Sequence, residues 1–387
     1  MHIVRVWLGL CCVSGLSCAS PPSAASEHTQ KVDLLFVIDN SATMLDEQAK
    51  LAEQVPRVVE ILTTGRRSPN DPEPFEPILD LHVGVVSSDM GLPGTRALAS
   101  CAANGGDAGH LKHSGARALD PTCAAEYPRF LSYEAGHSDP AQLVHDVRCV
   151  AQIGTGGCSV EQPLEAALQA LSVPNTELAP EFGGNAGFLR NDANDPSLLV
   201  VVLLTDEDDC SIADVGQFTL NERSERDPDL GEDLNQGCLH GAGLQDVRER
   251  YLKGLRGLRP GREELVVFLA IAGIPPDLVD DNVLADTDFA DPGARDRFFD
   301  AVLKDSRMQP GIQRNQPVEQ GIASLRPSCV APPDAREVEP HLAFPAPRIV
   351  ELAKAFGENA MVQSICSDSF SALVDPVVRV RERLSLR

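Results

Sequence analysis

Three oxygen-bearing side chains, Asp39, Ser41 and Thr43, alternate along a short stretch that ends an apolar run. A turning loop can aim all three to one side while Asn40 and Ala42 point away. Such a set suits a hard divalent cation, which takes oxygen donors in an octahedral or larger shell. Other candidates stand far away in the chain. Asp206 follows the most apolar run, Leu198 to Leu204, and Thr155 sits in the glycine-rich turn Gly154-Thr155-Gly156-Gly157, with Ser159 as the alternative hydroxyl beyond Cys158. The simpler reading of Asp39, Ser41 and Thr43 is a helix N-cap, which favours those residue types. Finding acidic residues directly after two separate apolar runs favours the metal site.

The elements that must position these residues alternate between strand and helix. Val32 to Ile38 reads as a buried strand, and Leu45, Ala49, Ala52, Val55, Val59 and Leu62 mark one face of a helix at spacings of three and four. Leu79 to Ser87, Leu198 to Leu204, Glu264 to Ala272 and Ala360 to Ile365 read as further strands. Val160 to Leu171, Leu244 to Leu258, Arg348 to Phe356 and Phe370 to Leu384 read as helices. Alternation with doubly apolar strands predicts an α/β fold, a doubly wound, mostly parallel sheet with helices on both faces. In such a sheet every strand-to-helix loop lies at the carboxyl edge, so Asp39, Thr155 and Asp206 converge there. Three weakly periodic stretches, about 91–152, 207–243 and 273–347, read as insertions rising from that edge, the first stapled by disulfides. Residues 26–387 read as a single domain.

The 387-residue chain is 43 % hydrophobic, enough for a large core, and carries a net charge of −24 with only 4 % aromatic residues. That balance excludes phosphate-backbone binding and base-stacking platforms, so no nucleic-acid partner is expected. Residues 1–25 read as an export signal and tether: Arg5, then apolar Val6 to Leu10, too short to cross a bilayer. Gly15-Leu16-Ser17-Cys18 is an imperfect lipobox that would leave Cys18 lipidated, while Ser23-Ala24-Ala25 would suit an ordinary signal peptidase. The expected location is exported: an outer-membrane or cell-surface lipoprotein, otherwise periplasmic or secreted, touching the membrane through the anchor only.

Of eleven cysteines, Cys11, Cys12 and Cys18 belong to the signal region. The remainder, Cys101, Cys123, Cys149, Cys158, Cys210, Cys238, Cys329 and Cys366, are even in number and read as disulfides. Pairing neighbours gives Cys101 with Cys123, Cys149 with Cys158, Cys210 with Cys238, and Cys329 with Cys366. A zinc site is disfavoured, since no Cys-x-x-Cys pair occurs among these residues. Glu207, Asp208 and Asp209 read as a solvated acidic turn. Asp286-Thr287-Asp288 lacks the glycine and distal glutamate of a calcium loop. His82, inside a strand, reads as structural.

These motifs resemble the von Willebrand factor type A domain, whose metal-ion-dependent adhesion site has the signature Asp-x-Ser-x-Ser, a distant Thr and a distant Asp. Asp39-Asn40-Ser41-Ala42-Thr43 matches the first part with Thr43 for the last serine, and Leu203-Leu204-Thr205-Asp206 supplies the final Asp. Where the family shows Gly-Gly-Thr, this chain has Gly156-Gly157-Cys158, so the third-loop hydroxyl falls to Thr155, then Ser159. The resemblance implies a Mg2+ site (or Mn2+ or Ca2+) formed by Asp39, Ser41, Thr43, Thr155 and Asp206. It also implies a protein partner offering an Asp or Glu carboxylate to the ion, a mobile last helix, and no catalysis. With its export signal and cysteines the chain is similar to bacterial surface lipoproteins carrying such a domain. The alternatives are a non-catalytic envelope scaffold with a structural ion and, more remotely, a metal-dependent phosphohydrolase. The latter would use a second aspartate where this chain has Ser41.

Overall fold

The structure, a computed structural model, describes residues 30–72, 74–92, 101, 106–172, 185–192, 195–213, 243–313, 324–331, 341–368 and 370–385. Strand β1 (Lys31–Ile38) leads into α1 (Leu45–Thr64), then β2 (Asp80–Ser87), β3 (Leu131–Glu134), α2 (Pro140–Ala151) and α3 (Pro163–Leu171). Next come β4 (Leu198–Leu204), a π-helical turn (Val247–Leu252) continuing into α4 (Lys253–Gly257), β5 (Val266–Ala272), α5 (Asp281–Asp286) and α6 (Pro292–Lys304). The short antiparallel pairs β6 (Ile312–Gln313) with β7 (Ser324–Leu325) and β8 (Cys329–Ala331) with β9 (His341–Ala343) precede α7 (Pro347–Phe356), β10 (Ala360–Ser364) and α8 (Val374–Ser385).

Six strands form the main sheet in the order β10-β5-β4-β1-β2-β3. Every neighbouring pair is parallel except β2 with β3, which run antiparallel at the edge. The fold is therefore α/β with a mostly parallel, helix-flanked sheet. β4 and β5 are apolar and buried at every position, which is what a parallel strand covered on both faces requires. Helix α3 packs on β1 and β2, and α7 packs on β5 and β10. The chain leaves β1 toward β2 on one side, yet β4 lies on β1's other side. The order thus reverses between β1 and β4, and the crevice beyond their carboxyl ends is where open α/β sheets bind ligands.

Of the expected inward face of α1, Ala52, Val55, Val59 and Leu62 are buried. The helix ends at Gly65, whose φ of +69° suits glycine and whose N–H donates to the Ile61 carbonyl. Where the sequence suggested irregular insertions, the structure holds regular elements. Residues 91–152 contribute the edge strand β3 and helix α2, and residues 273–347 contain α5 and α6. Both α2 and α6 begin with an Asp–Pro pair, the aspartate accepting from backbone N–H groups of the first turn. Leu143, Val147 and Val150 of α2, and Phe298, Phe299 and Val302 of α6, are buried.

The disulfides correct two expected pairings. Cys101 joins Cys158 and Cys123 joins Cys149, whereas Cys329 joins Cys366 as anticipated. Spatial proximity overrides sequence proximity here. Helix α2 carries Cys149 back toward Cys123, leaving Cys158, in the loop before α3, to meet Cys101. Cys210 is also disulfide-bonded, while Cys238 lies outside the described residues, as do Cys18 and the whole of 1–25. Disulfides persist in oxidising compartments, consistent with an extracellular, non-cytoplasmic location. Among the described residues no helix is long and apolar enough to cross a membrane.

Candidate metal centre

The end of β1 delivers Asp39 to the crevice. Its N–H donates to the Leu204 carbonyl at 2.9 Å, extending the β1–β4 ladder by one residue, so Asp39 is held beside the carboxyl end of β4. Asp39 is fully buried. Its Oδ1 accepts from the Ser41 N–H at 2.8 Å and the Ser88 hydroxyl at 3.4 Å, and Oδ2 accepts from the Thr205 hydroxyl at 2.7 Å. Burial pushes its carboxyl above the ordinary range, and these hydrogen bonds oppose the rise. Ser41 Oγ lies 3.0 Å from Thr43 Oγ1, so the two hydroxyls sit side by side. None of these residues caps α1: the helix is preceded by Met44 and takes no side-chain cap. The Ser41 N–H bond to Asp39 Oδ1 and the Met44 N–H bond to the Ser41 carbonyl do form the turn that leads into the helix.

The end of β4 delivers Thr205 and Asp206. The Thr205 N–H donates to the Ile271 carbonyl at 3.1 Å and the Asp206 carbonyl accepts from the Phe344 N–H at 2.7 Å, fixing the backbone from two sides. Asp206 is fully buried, and neither carboxylate oxygen has a hydrogen-bond partner among the described residues. The Thr43 hydroxyl approaches it without a bond of ordinary geometry. Burial first, then the charges of Asp39 and Glu207, hold its carboxyl well above the usual range, against the pull of Thr43.

The third loop is anchored to the first. Gln48 of α1 donates to the carbonyls of Asp39 (2.9 Å) and Gly154 (2.8 Å) and accepts from the Gly154 N–H at 3.0 Å. The Gly157 N–H donates to the Asn40 carbonyl at 2.9 Å. A Cβ at Gly157 would stand 2.2 Å from Asn40 Oδ1, so any larger residue there displaces the Asn40 side chain. Thr155 is half-buried and makes no hydrogen bond with Asp39, Ser41, Thr43 or Asp206; Ser159 is half-buried next to the Cys158 disulfide. The residue from this loop that does enter the acidic site is Glu161, 2 % exposed and hydrogen-bonded to Glu207. Burial first, then Glu207, Asp39 and Asp206, hold its carboxyl well above the usual range.

The turn after β4 is not the solvated one expected. Asp208 accepts from the N–H groups of Arg348 (3.1 Å) and Ile349 (3.3 Å), capping α7. Burial, set against the pull of Arg348, pushes its carboxyl up to about 7. Asp209, fully buried, accepts from the Leu164 N–H at 3.1 Å and pairs with Arg348 at 3.1 Å. His82 Nδ1–H donates to the Phe188 carbonyl, 2.9 Å away, and the ring lies against that of Phe130.

Asp39, Ser41, Thr43 and Asp206 are thus gathered at one sheet edge, joined by Glu161, Glu207, Ser88 and Thr205, which sequence reasoning did not select. Thr205, next to Asp206 in the matched motif, was legible; Ser88 and Glu161 follow only from the packing of loops. No group of three or more His, Cys, Asp or Glu side chains among the described residues forms a self-sufficient metal cluster. The donors here are mixed carboxylates and hydroxyls, the set a hard cation accepts. A buried carboxylate with no partner is costly unless it takes up a proton or a cation completes it. The chain matches no protein-family model and none of the curated proteins.

Proposed function

We propose that this protein is an exported, divalent-metal-dependent interaction module of the von Willebrand factor A kind, non-catalytic and anchored through a lipid on Cys18. The observation that carries the reading is Asp206, a fully buried carboxylate at the end of β4 whose oxygens take no hydrogen bond of ordinary geometry among the described residues. It lies near enough to Asp39 for that charge to help raise its carboxyl. Further support comes from the strand order with its antiparallel edge strand and from the site's place at the reversal between β1 and β4.

Ser41 and Thr43 would ligate the ion directly, with Asp39 and Asp206 supplying charge beside them. When bound, the ion attracts a carboxylate from a protein partner, with Mg2+ as the reference cation and Mn2+ or Ca2+ as the alternatives. The chain's own residues orient and desolvate the site: Gln48 ties α1 to the glycine-rich turn, and Thr205 and Ser88 hold the Asp39 carboxylate. One observation favours the scaffold alternative, in which the ion only stiffens the rim, namely the complete burial of Asp39 and Asp206. The two part on a single test. A carboxylate-bearing peptide or protein that binds with Mg2+ and is released by EDTA supports the interaction module. Ion-dependent stability without ion-dependent binding supports the scaffold.

A further inference from the structure

We propose that Gln48 and Gln162 are positioning residues of the candidate ion site, two buried amides that lock residues 154–162 to the loops after β1, β2 and β4 so that the carboxyl edge binds an ion as one unit. This rests on the metal site proposed above and names what holds its loops in place.

Residues 154–162, between α2 and α3, are bonded to all three loops that bring residues to the crevice. Toward the loop after β1, Gln48 Nε2 donates to the carbonyls of Asp39 (2.9 Å) and Gly154 (2.8 Å), and Oε1 accepts from the Gly154 N–H at 3.0 Å. The Gly157 N–H adds a bond to the Asn40 carbonyl at 2.9 Å. Toward the loop after β2, the Gln162 N–H donates to the Ser88 carbonyl and its Nε2 to the Gly91 carbonyl, both at 3.1 Å. Toward the loop after β4, Gln162 Oε1 accepts from the Ile212 N–H at 3.2 Å, and the Glu161 carbonyl accepts from the Cys210 N–H at 2.9 Å.

The residue type fits this role. A primary amide offers two N–H donors and a carbonyl acceptor. Gln48 uses all three, and it takes both the N–H and the carbonyl of one glycine, as a neighbouring strand would. A carboxylate could only accept and an ammonium could only donate, and either would change the charge beside Asp39. Both glutamines are buried, Gln48 at 4 % and Gln162 at 5 % exposure. Buried backbone groups left without these partners carry their full desolvation cost, so the loops would move to recover water. Such movement reaches the site itself. Ser88 and Thr205, on the loops after β2 and β4, donate their hydroxyls to Asp39 Oδ1 and Oδ2 at 3.4 and 2.7 Å. The orientation of the Asp39 carboxylate therefore depends on where those loops stand.

Amide hydrogen exchange and calorimetric titration with MgCl2 and CaCl2 test this on the full chain. The variants are Gln48→Met, Gln162→Met and the double variant, since methionine keeps the length and loses the hydrogen bonds. Without ion, Gln48→Met should speed exchange around Gly154 to Gly157 by about tenfold or more. Each single variant should weaken ion binding by about tenfold. The double variant should lose clearly less than the product of the two, because either change frees the same segment. Should Gln162→Met fail to fold by circular dichroism, Gln162→Glu, which loses only the donor to Gly91, carries the same test. Unchanged exchange around Gly154 in Gln48→Met overturns the lock. Faster exchange with wild-type ion affinity overturns the positioning role, and losses that multiply to about a hundredfold overturn the single unit. Binding of neither ion by the wild type defeats the metal site proposed above, and the exchange data tell that failure from failure of the lock.

Discussion

Asp33 sits near the start of β1, about 20 Å along the strand from Asp39 at ~3.3 Å per residue, and it is fully buried. Its Oδ1 accepts from Arg190 Nε at 2.7 Å, and Oδ2 accepts from the Arg190 N–H at 2.7 Å and from the Ser197 hydroxyl. Arg259, 1 % exposed, places Nη2 3.8 Å from Oδ2. Burial holds the Arg259 guanidinium below its ordinary value, Asp33 pushes it back up, and Arg190 opposes that. Asp33→Asn preserves shape and one acceptor but removes the charge. Arg190 keeps Asp80, whereas the nearest remaining partners of Arg259 are neutral oxygens of Ser197, Asn191, Leu258 and Arg190. Breaking a buried pair from one side costs about 3–5 kcal/mol, and the surviving Arg190–Asp80 pair puts this case near the lower end. With a urea slope near 3 kcal/mol/M, the unfolding midpoint should fall by about 1 M. Metal affinity should stay within about twofold, because the change lies at the opposite sheet edge. A midpoint shift under about 0.3 M would refute the claim that Asp33 neutralises the buried guanidinium, and a parallel loss of ion binding would refute the separation of frame from site.

Other predictions follow the same logic. Gly157→Ala should weaken ion binding by forcing the Asn40 side chain and its loop away from the turn, read by titration, with the unfolding midpoint moving little. Asp300, held by Lys304 and Lys354, and Asp305, held by Arg307, both lie at about 2, below their unfolded values. Their contribution to stability is present above the unfolded value near 4 and is lost as pH falls toward 2. Asp305→Asn should accordingly flatten that acid limb in pH-dependent thermal unfolding, and an unchanged limb would contradict it. The Cys101–Cys158 disulfide closes a sequence separation of 57, so removing it as a double alanine variant should cost about 4 kcal/mol in the chain-entropy account. Non-reducing peptide mapping should recover Cys101–Cys158 and Cys123–Cys149; recovery of Cys101–Cys123 would overturn the arrangement of the first rim.

Much of the frame was legible because its signals are local. Leu198–Leu204 and Val266–Ala272 are apolar throughout, and a doubly covered parallel strand leaves no other pattern. Asp39 and Asp206 were legible because each stands within two residues of the end of a largely apolar strand. Helices α2 and α6 were hidden by surroundings rich in Gly, Asp and Pro, although the Asp–Pro starts and the spacing of Leu143, Val147 and Val150 carried the information. The disulfide partners were not legible, since they depend on where α2 and α3 pack. Glu161 was missed for the same reason. Its sequence neighbours read as a helix start, and only the Cys210 N–H bond to its carbonyl and the Gln162 N–H bond to the Ser88 carbonyl fix the backbone beside the acid cluster. Asp208 and Asp209 looked like a solvated turn because the partner that buries them, Arg348, lies far along the chain.

The most direct test of the account is the unfolding temperature of wild type and Asp206→Asn, each measured in EDTA and in excess divalent ion. An ion at about 100 times its dissociation constant stabilises the folded state by ~2.7 kcal/mol, so the wild type should unfold several degrees higher with ion than without. Asp206→Asn should show no such shift, and in EDTA it should be at least as stable as wild type, since it loses a buried, unpartnered charge. An ion-induced shift of equal size in both proteins, or none in either, would contradict the metal centre at Asp39 and Asp206.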